Sequence, residues 1–445
     1  MHDPLRTMKP GGSGLGNGLA RAGPLWLVRA PPMSAPVISA HTLRLTLAAA
    51  FMGWMFDGLE MGLFPLVARP ALQQMQGGTV NDAFVGHWMG VITAAFLLGA
   101  AVGGLVFGWL GDRVGRVRAL SLSVLTYSIF TGLAYFAQTP WHLALTRFCA
   151  ALGMGGEWSL GVALVMEVWP ERSRPMLAGI IGAAANVGFA LIAIIGLFFS
   201  VTMHSWRWVV LVGALPALLT FFIRQFVPES ERWKHAAATA PARPVREIFA
   251  PCLRRITLLA TALTAIVLIG TWGTVQWIPL WADQLTGGAQ PQAKAWSGLL
   301  AGLGAITGCL GGAWAGGRFG RRITYFGMCL GSLVSCALLF RGGLGYGAGF
   351  LLLTFLVGAM TASFFGWLPL YLPELFPTRV RATAQGLAYN AGRVLAAAGA
   401  LQMGTLMRQF NGSYARAGAV ITLIYALGLG LIWLAPETKG RPLPE

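Results

Sequence analysis

Glu167-Val-Trp-Pro170-Glu-Arg172-Ser-Arg174 and Glu374-Leu-Phe-Pro377-Thr-Arg379-Val-Arg381 are one loop written twice. Glu, Pro, Arg and Arg recur at a single offset of 207 residues, and Gly179 and Gly386 share it. Two more pairs keep the same order. Gly108-Trp-Leu-Gly-Asp112-Arg113-Val-Gly115-Arg116 is matched by Ala313-Trp-Ala-Gly-Gly317-Arg318-Phe-Gly320-Arg321, and Pro228-Glu229-Ser230 by Pro436-Glu437-Thr438. Three matched loops in one order indicate an internal duplication.

The loops are separated by apolar runs. A membrane-spanning helix needs ~20 mostly apolar residues, and twelve such stretches fit between Leu43 and Leu434. The first six cover about 43–68, 85–110, 119–137, 141–166, 176–201 and 207–227; the second six cover about 255–282, 296–316, 323–341, 345–371, 382–407 and 413–434. The expected fold is an all-α integral membrane protein of two six-helix bundles. The expected division is a disordered cytoplasmic tail over 1–42, a first bundle over 43–228, a polar linker over 229–254, a second bundle over 255–434 and a cytoplasmic tail over 435–445. Parallel repeats of this kind usually hold substrate between the halves near the midplane.

Composition agrees with this reading. Of 445 residues 56% are apolar and 11% charged, against roughly 25% charged in soluble proteins. The net charge of +17 would suit nucleic acid if it formed a basic face. Placed on the spans, 24 Lys and Arg fall on the side of the termini, six on the opposite side, and two, Arg147 and Arg393, inside spans. By the positive-inside rule both termini are cytoplasmic, and no basic face of a folded soluble domain is left for nucleic acid. The five cysteines contain no C-x-x-C and four lie in apolar runs, which disfavours disulfides and metal sites. No histidine falls near mid-span, so no nucleophile–base or metal constellation of an intramembrane enzyme is expected. The chain is expected to be a monomer in the cell (inner) membrane, with a small molecule, a proton and the lipid bilayer as its partners and no cofactor.

The G-x-x-x-D-R-x-G-R loop at 108–116 resembles the signature of the major facilitator superfamily. The two E-x-x-P-x-R-x-R loops, Pro228-Glu-Ser-Glu-Arg-Trp233 and Pro436-Glu-Thr-Lys-Gly440-Arg, are similar to those of its sugar-porter and metabolite:proton symporter branch. The resemblance covers residues 43–442 and implies a cytoplasmic latch that stabilises the outward-open state. Its members here would be Gly108, Asp112, Arg113, Gly115, Arg116, Glu167, Arg172, Arg174, Glu229, Arg318, Arg321, Glu374, Arg379, Arg381 and Glu437. Gly317 stands where the repeat would place a second Asp, so that half of the latch is expected to be weaker.

Ionisable residues inside spans are costly and mark function. Span 1 carries Asp57 and Glu60, three apart and so on one helical face. Two carboxylates in low dielectric do not both ionise cheaply, and one is expected to take up a proton. The D-G-x-[DE] pattern here is similar to that of aromatic-acid and related organic-acid:proton symporters. In span 4, Arg147-Phe-Cys-Ala-Ala-Leu-Gly153-Met-Gly155-Gly156-Glu157-Trp158 resembles metabolite:proton symporters. Arg147 there could pair with a span-1 carboxylate or bind substrate, and Glu157 is a further proton-site candidate. Span 11 places Arg393 near the midplane beside Tyr389 and Asn390, with no partner on its own helix. A forked guanidinium suits a carboxylate substrate. Trp272 and Gln276 in span 7 are four apart, an aromatic beside an amide that suits a ring-bearing substrate.

The function expected is proton-coupled uptake of a small organic anion, such as an aromatic or other monocarboxylate, by alternating access. The alternatives are a sugar or polyol porter, which the loop motifs favour but span 7 does not, and a proton-coupled exporter. The drug-exporter branch carries G-P-x-x-G-G in span 5, whereas Gly179–Gly196 contains no proline.

Overall fold

The computed structural model describes residues 39–78, 82–198, 201–239, 244–287, 289–290, 292–410 and 413–445. The tail expected over 1–42 therefore lies outside the described residues up to 38. In chain order the helices are α1 (Ala40–Met75), α2 (Asp82–Val114), α3 (Arg116–Leu133), α4 (Pro140–Val168), α5 (Arg174–Phe198), α6 (Trp206–Val212), α7 (Ala217–Phe226), α8 (Glu231–Thr239), α9 (Pro244–Ile248), α10 (Pro251–Thr274), α11 (Ile278–Thr286), α12 (Ala293–Phe319), α13 (Arg321–Arg341), α14 (Ala348–Leu375), α15 (Arg381–Gln409), α16 (Tyr414–Ile421) and α17 (Ile424–Leu431).

Ten helical stretches among the described residues are long and apolar enough to cross a membrane. Two of the twelve expected stretches fall short. The stretch at 207–227 is divided between α6 and α7, because Gly213–Pro216 turns the chain through short-range carbonyl bonds. The stretch at 382–407 lies within one continuous helix, α15, whose polar Gln385, Asn390 and Arg393 interrupt its apolar face. The seventh stretch also changes character. Its α-helix stops at Thr274, and a 3-10 turn over Val275–Trp277 leads into α11. The 229–254 segment carries α8 and α9.

Small residues set how closely the helices approach. A Cβ on Gly155 of α4 would strike the carbonyl of Ala100 and the amide of Gly104 on α2, and one on Gly103 would strike the carbonyl of Leu152. Such small-residue faces let backbones touch where lipid gives no hydrophobic drive. The obstruction at Gly155 is backbone, so Gly155→Val is expected to cost at least ~1–3 kcal/mol of overpacking. It should be seen as loss of monodisperse protein in size-exclusion chromatography.

Across the repeat, α2 packs on α15, and α5 packs on α12 and α14. The largest apolar cluster spans this seam, joining Trp54, Trp158 and Ile181 of the first repeat to Leu263, Tyr325, Trp367 and Tyr389 of the second.

Candidate functional site

The buried acids and bases sort into two groups, one deep between the helices and one at the end that carries the repeated loops. In the deep group, α1 presents Asp57 and Glu60 from one face, as their spacing requires, and both are buried. Their partners differ. Glu60 forms an ion pair with Arg147 of α4 and accepts a hydrogen bond from Thr131 Oγ1 at 3.1 Å. The Arg147 guanidinium lies 5.0 Å from the Phe64 ring centre and 4.9 Å from that of Phe96, so two aromatic faces also surround it. Asp57 instead interacts with Glu157 of α4, and neither carboxyl finds a donor among the described residues. Glu157 rests on α1 where Gly53 leaves room, one turn before Asp57; a Cβ at Gly53 would strike its Oε1. The pairing within span 1 expected from sequence is thus replaced by a pairing between helices.

Arg393 lies within electrostatic reach of Asp57 and is in no ion pair among the described residues. It donates to Asn390 Oδ1 at 3.1 Å and lies 5.0 Å from the Tyr389 ring centre. Asn390 is occupied elsewhere too: its Nδ2 donates to the carbonyls of Gly155 at 2.9 Å and Gly386 at 3.0 Å, tying α15 to α4. Tyr389 stacks on Trp158, and Trp54 abuts both rings. Trp272 packs against the same apolar cluster. The Gln276 side chain lies outside the described residues, and the 3-10 turn after Thr274 breaks the helical register by which Trp272 and Gln276 would share a face. Trp54 and Gln385 were not singled out from sequence; a tryptophan three residues before Asp57 and a glutamine two turns before Arg393 were the available signals.

At the loop end, each half builds the same joint. Arg116 reaches Glu167 at 3.1 Å, Ser230 Oγ donates to Glu167 at 2.6 Å, and Glu229 accepts the amides of Arg116 and Val117, capping α3. In the second half Arg321 reaches Glu374 at 2.5 Å, Thr438 Oγ1 donates to Glu374 at 2.6 Å, and Glu437 accepts the amides of Arg321 and Arg322, capping α13. Both caps follow a glycine of positive φ, Gly115 and Gly320, which turns the chain tightly between helices. Burial pushes the Glu229 carboxyl above its ordinary range, against the pull of its backbone donors. At Glu437 burial pushes the same way, but four backbone amides outweigh it and hold the carboxyl below its ordinary range.

Contacts across the seam are not duplicated. Asp112 Oδ1 and Oδ2 accept the amides of Ala382 and Thr383 and the Thr383 hydroxyl, capping α15 of the other half at 2.6–3.2 Å. Gly108 permits this approach, since a Cβ there would meet the Ala382 carbonyl at 2.7 Å. Arg116 donates to Asp112 at 2.6 Å and to the Thr378 carbonyl at 2.5 Å, and Arg381 donates to Glu167 at 2.7 Å. On the other side Gly317 faces Pro175. The 207-residue offset pairs Pro175 with Ala382, so the acid is missing where one of the two amides that Asp112 caps is also missing. Arg174, the counterpart of Arg381, pairs with Glu171 of its own half at 3.1 Å. Replacing Gly317 with Asp alone should therefore not strengthen the contact across the seam, because its Cβ meets the proline ring at 2.7–2.8 Å. Gly317→Asp with Pro175→Ala restores a donor and should stabilise the contact across the seam by about 1 kcal/mol, the usual worth of a helix cap, read as slower amide exchange at the start of α5.

Not every expected latch residue joins in. Arg113, Arg172 and Arg318 are exposed; Arg113, one residue past Asp112 and so turned away from the seam, covers Trp109 at 5.2 Å. Arg379 pairs with Glu247 of α9 at 2.6 Å on the outside. Residues absent from the expectation do take part. Trp233 Nε1 donates to the Asp112 carbonyl at 2.9 Å, and the Pro444 carbonyl accepts from Arg381 at 2.7 Å and from Thr378. The segment expected as the 435–445 tail is seated against Thr378 and Arg381, with Leu443 buried.

Apolar helices of spanning length around a buried, charged seam define a multi-pass membrane protein, and the family and relatives that it matches are transporters, not enzymes. Residues 45–400 match the Major Facilitator Superfamily, and the chain belongs to that family. The chain is 30% identical to a probable 4-methylmuconolactone transporter of Cupriavidus pinatubonensis, covering 89% of this chain and 91% of that one. It is 28% identical to a cis,cis-muconate transport protein of Acinetobacter baylyi, covering 83% and 89%. The proton:xylose symporter XylE, solved with 6-bromo-6-deoxy-D-glucose, shares the fold with a TM-score of 0.73 at 16% identity, covering 91% of this chain and 98% of that one.

Proposed function

We propose that this protein is a proton-coupled uptake carrier for a small organic anion, built of twelve spans in two six-helix halves, with both termini cytoplasmic, in an inner membrane. The observation that carries the reading is the Asp57–Glu157 acid pair beside Arg393, a cation in no ion pair among the described residues. A buried acid pair disfavours the state with both groups charged, so it is suited to holding one exchangeable proton. When the pair releases that proton, the negative charge on Asp57 attracts Arg393 and competes with an incoming anion. When the pair is protonated, the guanidinium is free to bind a carboxylate in a two-pronged contact. This competition couples the two ligands without their touching. Glu60 and Arg147, already paired, hold α1 to α4. Asn390 orients Arg393.

Closure at the cytoplasmic end is assigned to Asp112, Arg116, Glu167 and Arg381, and rocking of the halves exposes the site alternately. The names of the methylmuconolactone and muconate relatives support an organic acid over a sugar. The test is uptake of radiolabelled acids and sugars into proteoliposomes with an imposed pH gradient. Accumulation of an acid that collapses when a protonophore is added is expected. Gradient-independent equilibration of sugars would overturn the proposal.

A further inference from the structure

Trp158 and Tyr389 stack with ring centres 4.1 Å apart and planes 18° from parallel, and they come from opposite halves, α4 and α15. Trp54 lies against both, 6.3 Å from Trp158 and 6.2 Å from Tyr389. Tyr389 is also the ring beneath Arg393. It therefore has an aromatic neighbour on one side of the seam and a cation on its own helix. One turn earlier on the same stripe of α15, Gln385 is fully buried with neither its amide nitrogen nor its oxygen partnered. Buried amides left without a partner are costly and call for one.

Any separation of the halves must break the Trp158–Tyr389 stack and bare an indole face near a guanidinium. We propose that this stack is the ring slot of the carrier: a flat, conjugated carboxylate lies on Trp158 in the place Tyr389 takes when no substrate is bound, its carboxylate on Arg393 and a polar ring substituent on Gln385. Tyr389 is then an internal competitor, and Trp158 and Gln385 determine specificity. The inference rests on the organic-anion reading and deepens it.

The test is equilibrium binding of radiolabelled benzoate, 4-hydroxybenzoate and cyclohexanecarboxylate to the purified full chain. Benzoate and cyclohexanecarboxylate carry the same charge at similar size and differ in having a π face. The wild type is expected to prefer benzoate about tenfold, the scale of one good aromatic contact. Trp158→Leu should erase that preference and Trp158→Phe should keep most of it. Gln385→Leu should weaken 4-hydroxybenzoate and leave benzoate unchanged. Tyr389→Leu, which removes the ring that covers Trp158, should tighten benzoate binding. A benzoate preference that survives Trp158→Leu overturns the slot and leaves the transport reading standing. A wild type that binds none of the three acids, but binds a sugar, overturns the organic-anion reading and the slot with it.

Discussion

Asp57→Asn is expected to abolish accumulation of substrate driven by a pH gradient while leaving exchange of preloaded substrate intact. The substitution keeps the size of the side chain and lets its amide donate to Glu157, so the contact between α1 and α4 survives. It removes the group that the proposed mechanism charges and neutralises beside Arg393. A carrier that cannot take up and release the proton still rocks with substrate on both legs of the cycle, which is why exchange is retained. Counterflow and gradient-driven uptake measured on the same proteoliposomes separate the two. Accumulation that survives in Asp57→Asn would place the coupling proton elsewhere. Glu60→Gln should behave differently: it strands Arg147 as a buried cation between Phe64 and Phe96, a change that typically costs ~3–5 kcal/mol, and its signature is a lower melting temperature.

The second large effect is expected at the loop end. Glu167 receives Arg116, Arg381 and Ser230, all buried. Glu167→Gln leaves two guanidinium groups, one from each half, around a neutral amide. Breaking a buried ion pair in this way costs ~3–5 kcal/mol, and because Arg381 belongs to the other half part of the loss falls on the contact across the seam. Amides of Ala382 and Thr383, which Asp112 caps, should exchange with solvent much faster in hydrogen-exchange mass spectrometry. Glu374→Gln is the control. Its partner Arg321 lies within its own half, so it should lower the melting temperature without changing exchange at the start of α15. Equal acceleration in both variants would mean that Glu167 stabilises the fold and not the closure.

The repeat was legible because loops that must turn tightly and carry charge leave little choice of residue: Gly115 and Gly320 need positive φ, and Glu229 and Glu437 need to cap the helix that follows. The buried charges were legible because they are rare in spans. Which acid meets which base was not. That depends on the axial register of α1 against α4, and the register is set by where small residues permit contact, Gly53 beneath Glu157 above all. Spacing along one helix pairs Asp57 with Glu60; the third dimension separates them. The unequal seam was half legible. Gly317 stood out against Asp112, but its counterpart Pro175 gains meaning only once the two are seen in contact.

The seating of Pro444 has a practical consequence. Its carbonyl holds Arg381 and Thr378, and Arg381 is the residue that reaches Glu167 across the seam. Whatever is fused beyond Glu445, an affinity tag or a fluorescent protein, hangs one residue from that carbonyl. A handle there sits beside the contacts from Pro444 through Arg381 to Glu167, so tagged and untagged protein should be compared before rates are interpreted. The same proximity makes the position a useful site for a reporter dye, whose emission would register the opening proposed for the seam.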